Sequence, residues 1–308
     1  MAGYPLARVP ARLKGPAMYL ITGATGLVGR PLVAALGADA RAVTRHPDAA
    51  GLPAGVQLAA GDPSRPDTLD AALRGVTGIF LNPRALGDAS ATGELLSRAR
   101  RHGVTRVVAL SAINADDDPA RQPSRYNGDR NAEVERAAVA SGLEWVALRP
   151  SYFATNTIGL FGAQLRAGDV VRGPYPAFAE APIDPADIAA VAAVALRGDD
   201  LVGTRPVLTG PQALTQERLV AELARVLRRP LSYQEVPAEA ARHGMLAAGL
   251  TPGFVDAYLA RMAASAPAVV TADVEKILGR PARPYADWAA EHAEAFGPAP
   301  AAAEGGAA

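Results

Sequence analysis

Short unbroken apolar runs alternate along the chain with stretches whose apolar residues recur every three or four positions. The runs at 18–22 (MYLIT), 40–44 (ARAVT), 56–60 (VQLAA), 78–82 (GIFLN), 106–111 (RVVALS) and 144–150 (EWVALRP) predict strands. Between them, Leu27, Val28, Leu32, Val33 and Leu36 fall on one helical face, and Gly37 suits the helix end. RPDTLDAALRG predicts a helix with Asp67 or Thr68 near its cap and Gly75 after it. DASATGELLSRARRHG predicts another, closed by Gly103, and 131–141 a further one. The order is β-α-β-β-α-β-α-β-α-β. Strands apolar at successive positions are buried on both faces, which argues for a doubly wound parallel α/β sheet covered by helices.

After Pro150 the rhythm breaks. Residues 151–182 are richer in Gly, Pro and aromatics. A clear helix follows at 184–198, with Asp184 as cap and Pro185 in the first turn. RPVLTG and LSYQEVP read as strands, TQERLVAELARVLRR as a helix capped by Thr215, and the region 238–263 as helices. The expected organisation is a leader at 1–17, a nucleotide-binding-type α/β domain at 18–150, a smaller lobe interleaved with late sheet strands at 151–295, and a low-complexity tail at 296–308.

Composition narrows the chemistry. Acidic and basic residues balance at 31 each, so nothing points to a nucleic-acid or polybasic membrane surface. There is no cysteine, hence no disulfide, thiolate nucleophile or Cys-based metal site. His46, His102, His243 and His292 are scattered and form no zinc-binding spacing, so no metal is expected. Lysine occurs only at Lys14 and Lys276, which leaves a lysine-dependent mechanism almost nowhere to act. The first 17 residues lack a signal peptide's apolar core, and no apolar run approaches the about 18 residues of a membrane span. A cytoplasmic protein, monomer or homodimer, acting on a small molecule is expected.

YLITGATGLVG places Gly23, Gly26 and Gly29 between a strand and a helix. The spacing is G-x-x-G-x-x-G. Glycines there let the chain turn off the strand, and the backbone of Thr25, Leu27 and Val28 approaches a pyrophosphate at the positive end of the helix dipole. An NAD-preferring site carries an acid at the end of the second strand; here Thr44 and Arg45 stand there, with His46 next. A guanidinium at that point pairs with a 2′-phosphate, so NADP(H) is expected in preference to NAD(H). Asp62 is placed to accept a bond from the adenine amino group. Asn82 and Pro83, after the fourth strand, should run along the cofactor, with Arg84 reaching phosphate or substrate.

Taken together, MYLITGATGLVGRPLV, AVTRHP, VVALSA, ERAAVASGLEWVALRPSYFATN and PIDPADIAAVAAVAL resemble the NmrA-like group of atypical short-chain dehydrogenase/reductases over about residues 18–295. The resemblance implies a Rossmann domain, an NADP-type cofactor and a C-terminal α/β lobe closing over the substrate. It covers quinone and azo-dye reductases as well as cofactor-sensing regulators without turnover, so function must be argued from the site.

In the wider superfamily a tyrosine works with a lysine four residues later, and a serine after the fifth strand binds the carbonyl oxygen. Ser111 fits that serine's place. SRYNGDRNAEVERA admits two registers for the pair. In one, Tyr126 is the acid and Arg130 the cation; in the other, Asn127 and Asn131 replace both. Neither supplies the lysine, which tilts the expectation toward conjugated, electron-poor substrates whose developing charge is already delocalised. Pro150, Ser151 and Tyr152 should pass the nicotinamide, and Tyr152, Phe153, Asn156, Tyr175, Phe178, His243 and Met245 should line an apolar pocket, with His243 a second candidate proton donor. The expected function is NADPH-dependent reduction of a small conjugated or aromatic carbonyl or quinone-type compound, with specialised metabolism as its setting. The alternatives are a non-catalytic NADP(H) sensor and an isomerase or dehydratase on the same fold.

Overall fold

A computed structural model describes residues 17–264 and 266–297. Of the expected leader and tail, residues 1–16 and 298–308 lie outside the described residues. The first half runs β1 (Tyr19–Ile21), α1 (Gly29–Leu36), β2 (Ala40–Thr44), β3 (Gln57–Ala60), α2 (Asp70–Leu73), β4 (Gly78–Leu81), α3 (Ala89–Arg101), β5 (Arg106–Leu110), α4 (Asn131–Ala140) and β6 (Glu144–Pro150). The second half runs α5 (Asn156–Ala167), β7 (Val170–Gly173), β8 (Ala179–Glu180), α6 (Pro185–Arg197), β9 (Val207–Leu208), β10 (Leu214–Thr215), α7 (Gln216–Leu227), β11 (Ser232–Glu235), α8 (Ala238–Ala247), α9 (Pro252–Ala263), α10 (Asp273–Leu278) and α11 (Tyr285–Glu291).

The central sheet has the order β3-β2-β1-β4-β5-β6-β9, and its pairings are parallel throughout. This is the Rossmann-like doubly wound arrangement. Alternate residues serve opposite faces, as the pleat requires. Tyr19, Ile21, Phe80, Val108 and Leu110 pack with α1 and α6 on one side. Leu20, Ile79, Leu81, Val107 and Ala109 pack with α3 and α4 on the other. Hence the inner strands read as unbroken apolar runs. β3 departs from that pattern: it is an edge strand with exposed residues on both faces.

Two predicted helix starts are set by side chains as expected, Asp184 accepting from the Ala186 amide and Thr215 from the Arg218 amide. The helix expected from RPDTLDAALRG is instead a 3-10 segment, Pro66–Leu69, followed by the single turn of α2, with no side-chain cap. Thr68 turns its hydroxyl away from the helix, accepting from the Asp62 amide at 3.0 Å and donating to the Arg65 carbonyl at 2.7 Å.

The second half contributes to both bodies. β9 extends the central sheet, α6 packs on α1, and α10 packs on α6. α5, α7 and α11 enclose a separate core around Phe161, Leu223, Trp288 and Phe296. β7 and β11 form a parallel pair beside it, and β8 and β10 an antiparallel one. Among the described residues no helix is long and apolar enough to cross a membrane.

Candidate functional site

The loops after β1, β2, β4, β5 and β6 all leave the same, carboxyl edge of the parallel sheet, where open α/β folds bind ligands. At β1 the chain turns at Gly23, whose φ is +63°, a region costly for other residues. A Cβ there would lie 2.7 Å from the Asn82 side chain, and one on Gly29 would lie 2.1 Å from the Gly23 carbonyl oxygen. Gly29 therefore lets the start of α1 press against the loop, and Gly23 lets the loop press against the end of β4. The junction is fixed by Thr22, whose hydroxyl donates to the Phe80 carbonyl at 2.9 Å and accepts from the Asn82 amide at 2.8 Å. Arg30, which the sequence reading did not single out, clamps the loop from outside. It donates to the carbonyl of Thr25 at 3.1 Å and to those of Gly51 and Ala50 at 2.8 and 3.1 Å. Thr25 and Leu27 are exposed on the loop and Val28 is buried beneath it. This is a glycine cradle open at a helix N-terminus, and it fits a pyrophosphate.

At the end of β2, Arg45 is exposed, and Thr44 accepts from the His46 amide at 3.1 Å. Asp62, after β3, accepts from the Ser64 hydroxyl at 2.7 Å and the Ser64 amide at 3.0 Å. Those bonds, with Arg65 and Arg45 nearby, outweigh desolvation and hold its carboxyl below the ordinary value. After β4, Asn82 accepts from the Arg84 amide, with Pro83 between them. Arg84 itself forms a two-fold ion pair with Asp129, both bonds 2.9 Å, and is committed there rather than free to reach a ligand.

The stretch after β5 departs most from expectation. Tyr126 lies on a 3-10 turn, Pro123–Asn127, and is 45% exposed, so it is not set in a closed acid-base site. Its ring rests on Gly253 of α9, where a Cβ would lie 2.2 Å away. Arg130 donates to the carbonyls of Arg125 and Asp129 at 2.9 and 3.1 Å, binding its own loop. Asn131 opens α4 and donates to Ser124 at 3.2 Å. Neither register assembles a proton-relay pair. Ser111 is buried and donates at 2.6 Å to Glu135, so its hydroxyl is not presented to a carbonyl. Glu135 also receives Arg149 at 2.7 and 3.0 Å and Arg205 at 2.6 Å. Burial alone would raise this carboxyl; the bonds from Arg149, Ser111 and Arg205 win and hold it low.

Beyond β6, Tyr152, Tyr175, Phe178 and Met245 gather in one cluster with Phe254, Tyr258 and Met262 of α9. Tyr175 has φ +50°, an uncommon backbone state for a large residue. Phe153 and His243 are corrections to the expected pocket. Phe153 turns to the sheet side and packs on the core beneath α6, bridging to Ile183. His243 points to solvent from α8, 69% exposed and 3.6 Å from Glu239. Asn156 is exposed at the start of α5. Phe254, Tyr258 and Met262 were missed because the helix carrying them lies over a hundred residues after Tyr152, and only the fold brings the two together.

The NAD(P)H-binding family matches residues 23–199. The chain is 37% identical over 291 residues to the (4-alkanoyl-5-oxo-2,5-dihydrofuran-3-yl)methyl phosphate reductase of Streptomyces griseus, covering 91% of this chain and 100% of that protein. It is 33% identical to the NAD(P)H azoreductase of Xenophilus azovorans, covering 92% and 100%. Its fold matches that of an NADPH-dependent quinone oxidoreductase of Escherichia coli complexed with NADPH, with a TM-score of 0.75 at 23% identity over 90% of this chain and 99% of that one. The glycine cradle, the sheet order and these likenesses agree: the chain belongs to the NAD(P)H-binding family and is an NAD(P)H-dependent oxidoreductase.

Proposed function

We propose that the protein is an NADPH-dependent reductase of small conjugated carbonyl or quinone-type compounds. The observation that carries the reading is an aromatic cluster at the carboxyl edge of the sheet, beside a loop in which Arg130 binds its own backbone and is not paired with Tyr126 as a proton relay. Flat, electron-poor molecules stack on aromatic side chains. Hydride addition to such a molecule gives a delocalised anion that water can protonate. Addition to an isolated ketone gives a localised alkoxide, which requires a positioned donor.

The residues divide the work. The backbone at Gly23, Gly26 and Gly29 and the start of α1 hold the pyrophosphate. Arg45, exposed beside Thr44, meets the 2′-phosphate, and Asp62 faces the adenine side. Asn82 and Pro83 border the nicotinamide half, together with Pro150 and Tyr152. Bound NADPH supplies the hydride. The substrate lies against Tyr152, Tyr175 and Phe178, and α9 excludes bulk water from above. The Streptomyces relative is named for an oxo-dihydrofuran bearing an alkanoyl group, a substrate of this conjugated class, which supports the reading.

Loss of the reduced nicotinamide's near-ultraviolet absorbance tests it. Purified protein with NADPH is expected to reduce 1,4-naphthoquinone and an acyl-butenolide, and to leave cyclohexanone essentially untouched. Equal turnover of the isolated ketone would overturn the assignment. Turnover of none of them would overturn it as well.

A further inference from the structure

Within the aromatic cluster the hydroxyls of Tyr152 and Tyr258 are buried and face each other, with no other hydrogen-bond partner among the described residues. They come from opposite walls. Tyr152 follows β6 and is fixed by its carbonyl, which accepts from the Ile183 amide at 2.9 Å. Tyr258 comes from α9, is 4% exposed, and has its ring stacked on Phe254 with centroids 5.9 Å apart. α9 in turn lies across the loop after β5, where Gly253 meets the Tyr126 ring.

Two facing phenols can bond each other through one hydrogen only, which leaves the second buried hydrogen unpaired, as native interiors rarely do. The charged groups nearby are already matched. Glu180 of β8, 3% exposed, receives Arg261 through two bonds of 3.1 and 2.9 Å. What remains is a pair of neutral O–H groups in an apolar wall of Phe178, Met262 and Leu160. Burial and the nearby Glu180 charge raise both phenols, so they keep their protons and act as hydrogen-bond donors rather than acids, with at least one hydrogen free to turn to a ligand.

We infer that Tyr152 and Tyr258 form an oxygen-binding subsite that takes a neutral carbonyl or quinone oxygen of the substrate and orients its ring against the aromatic wall. The inference rests on the reductase reading above and adds the group that anchors the substrate. It excludes an anionic end at this point, because a carboxylate would be buried beside Glu180.

Binding to the NADP⁺-loaded protein, followed by quenching of intrinsic fluorescence, separates the roles. The probes are 1,4-naphthoquinone, naphthalene, which has the same ring without oxygens, and 1,4-naphthoquinone-2-carboxylate. Tyr152→Phe and Tyr258→Phe are each expected to weaken the quinone about tenfold, the effect of one lost hydrogen bond. Naphthalene affinity should stay within about twofold, because the ring contacts persist. The melting temperature should change little, since the ring packing persists and the desolvation cost removed offsets the loss of the weak bond between the two phenols. The carboxylate should bind wild type more weakly than the parent quinone. Unchanged quinone affinity in both variants overturns the subsite, and if quinone reduction persists the reductase reading stands. Equal loss of quinone and naphthalene assigns the tyrosines to packing and also overturns it. No quinone binding by wild type removes both proposals.

Discussion

Gly29 and Arg45 mark two kinds of legibility at the residue scale. A Cβ on Gly29 would strike the backbone of Gly23 and Ala24, at 2.1 and 2.7 Å, so that glycine is demanded by geometry and the strand–turn–helix context reveals it. Arg45 is exposed, and its identity is dictated by no contact that the fold needs. The role proposed for it rests only on where the second strand ends. Arg45→Asp is accordingly expected to weaken NADPH about 10- to 100-fold, the worth of a charge-assisted hydrogen bond with repulsion added. NADH affinity should change by no more than about threefold, measured by fluorescence titration of both cofactors. Equal losses would place Arg45 outside the 2′-phosphate site. Phe153 and His243 show the opposite limit. Both were expected to line the pocket beyond the sixth strand, but Phe153, bridged to Ile183, packs on the core beneath α6, and His243 turns to solvent on α8.

Elements meet at buried charge, and Glu135 is the main such joint. It stands on α4 and holds Ser111 after β5, Arg149 in β6 and Arg205 just before β9. Arg149 also reaches Asp116 at 2.6 Å, and Arg205 lies over the Trp145 ring at 4.6 Å, so the joint ties three strands to one helix. The folded carboxyl titrates below its ordinary value of 4.5. A depressed acid stabilises the fold above the unfolded value, and that contribution is lost as pH falls through the folded one. Glu135→Gln should therefore lose about 3 kcal/mol at neutral pH, because Arg149 and Arg205 are left facing a neutral amide in a buried site. The gap to wild type should close as pH falls below the ordinary carboxylate range. Denaturant melts at neutral and acidic pH measure both numbers; a gap that stays constant with pH would show that Glu135 acts by shape alone. The periodicity of α4 placed Glu135 on a helix, but the convergence of its partners depends on Arg205, some seventy residues away, which no local pattern discloses. The same holds for α9, whose sequence reads simply as helix and whose site residues emerge only when it crosses the loop after β5.

At the scale of the whole molecule, the Rossmann alternation up to Pro150 was legible because each inner strand is buried on both faces and each turn is marked by Gly, Pro or a cap. The division of labour after Pro150 was not, because β9 has two residues and α5 carries Gly159 and Gly162, which weaken its helical signal in the sequence. Yet that half completes the first. α6 buries Ile188, Val191, Ala192, Ala195 and Leu196 against α1 and the sheet, and α10 adds Val274 and Leu278 to the same core. Without them, α1 alone would cover that face of the sheet, and its part over β4, β5 and β6, which α6 packs against, would lie open to water. An apolar face of that extent drives association rather than folding. Residues 18–150 alone are therefore expected to be aggregated or molten, with no cooperative transition, while residues 17–297 unfold in one step by circular dichroism and by fluorescence together. A soluble 18–150 fragment with a sharp transition and NADPH affinity near that of the full chain would make the first half an independent domain and the second a true appendage. The packing of α6 on α1 argues that cofactor cradle and substrate wall belong to one cooperative unit, so that loosening either half weakens binding in both.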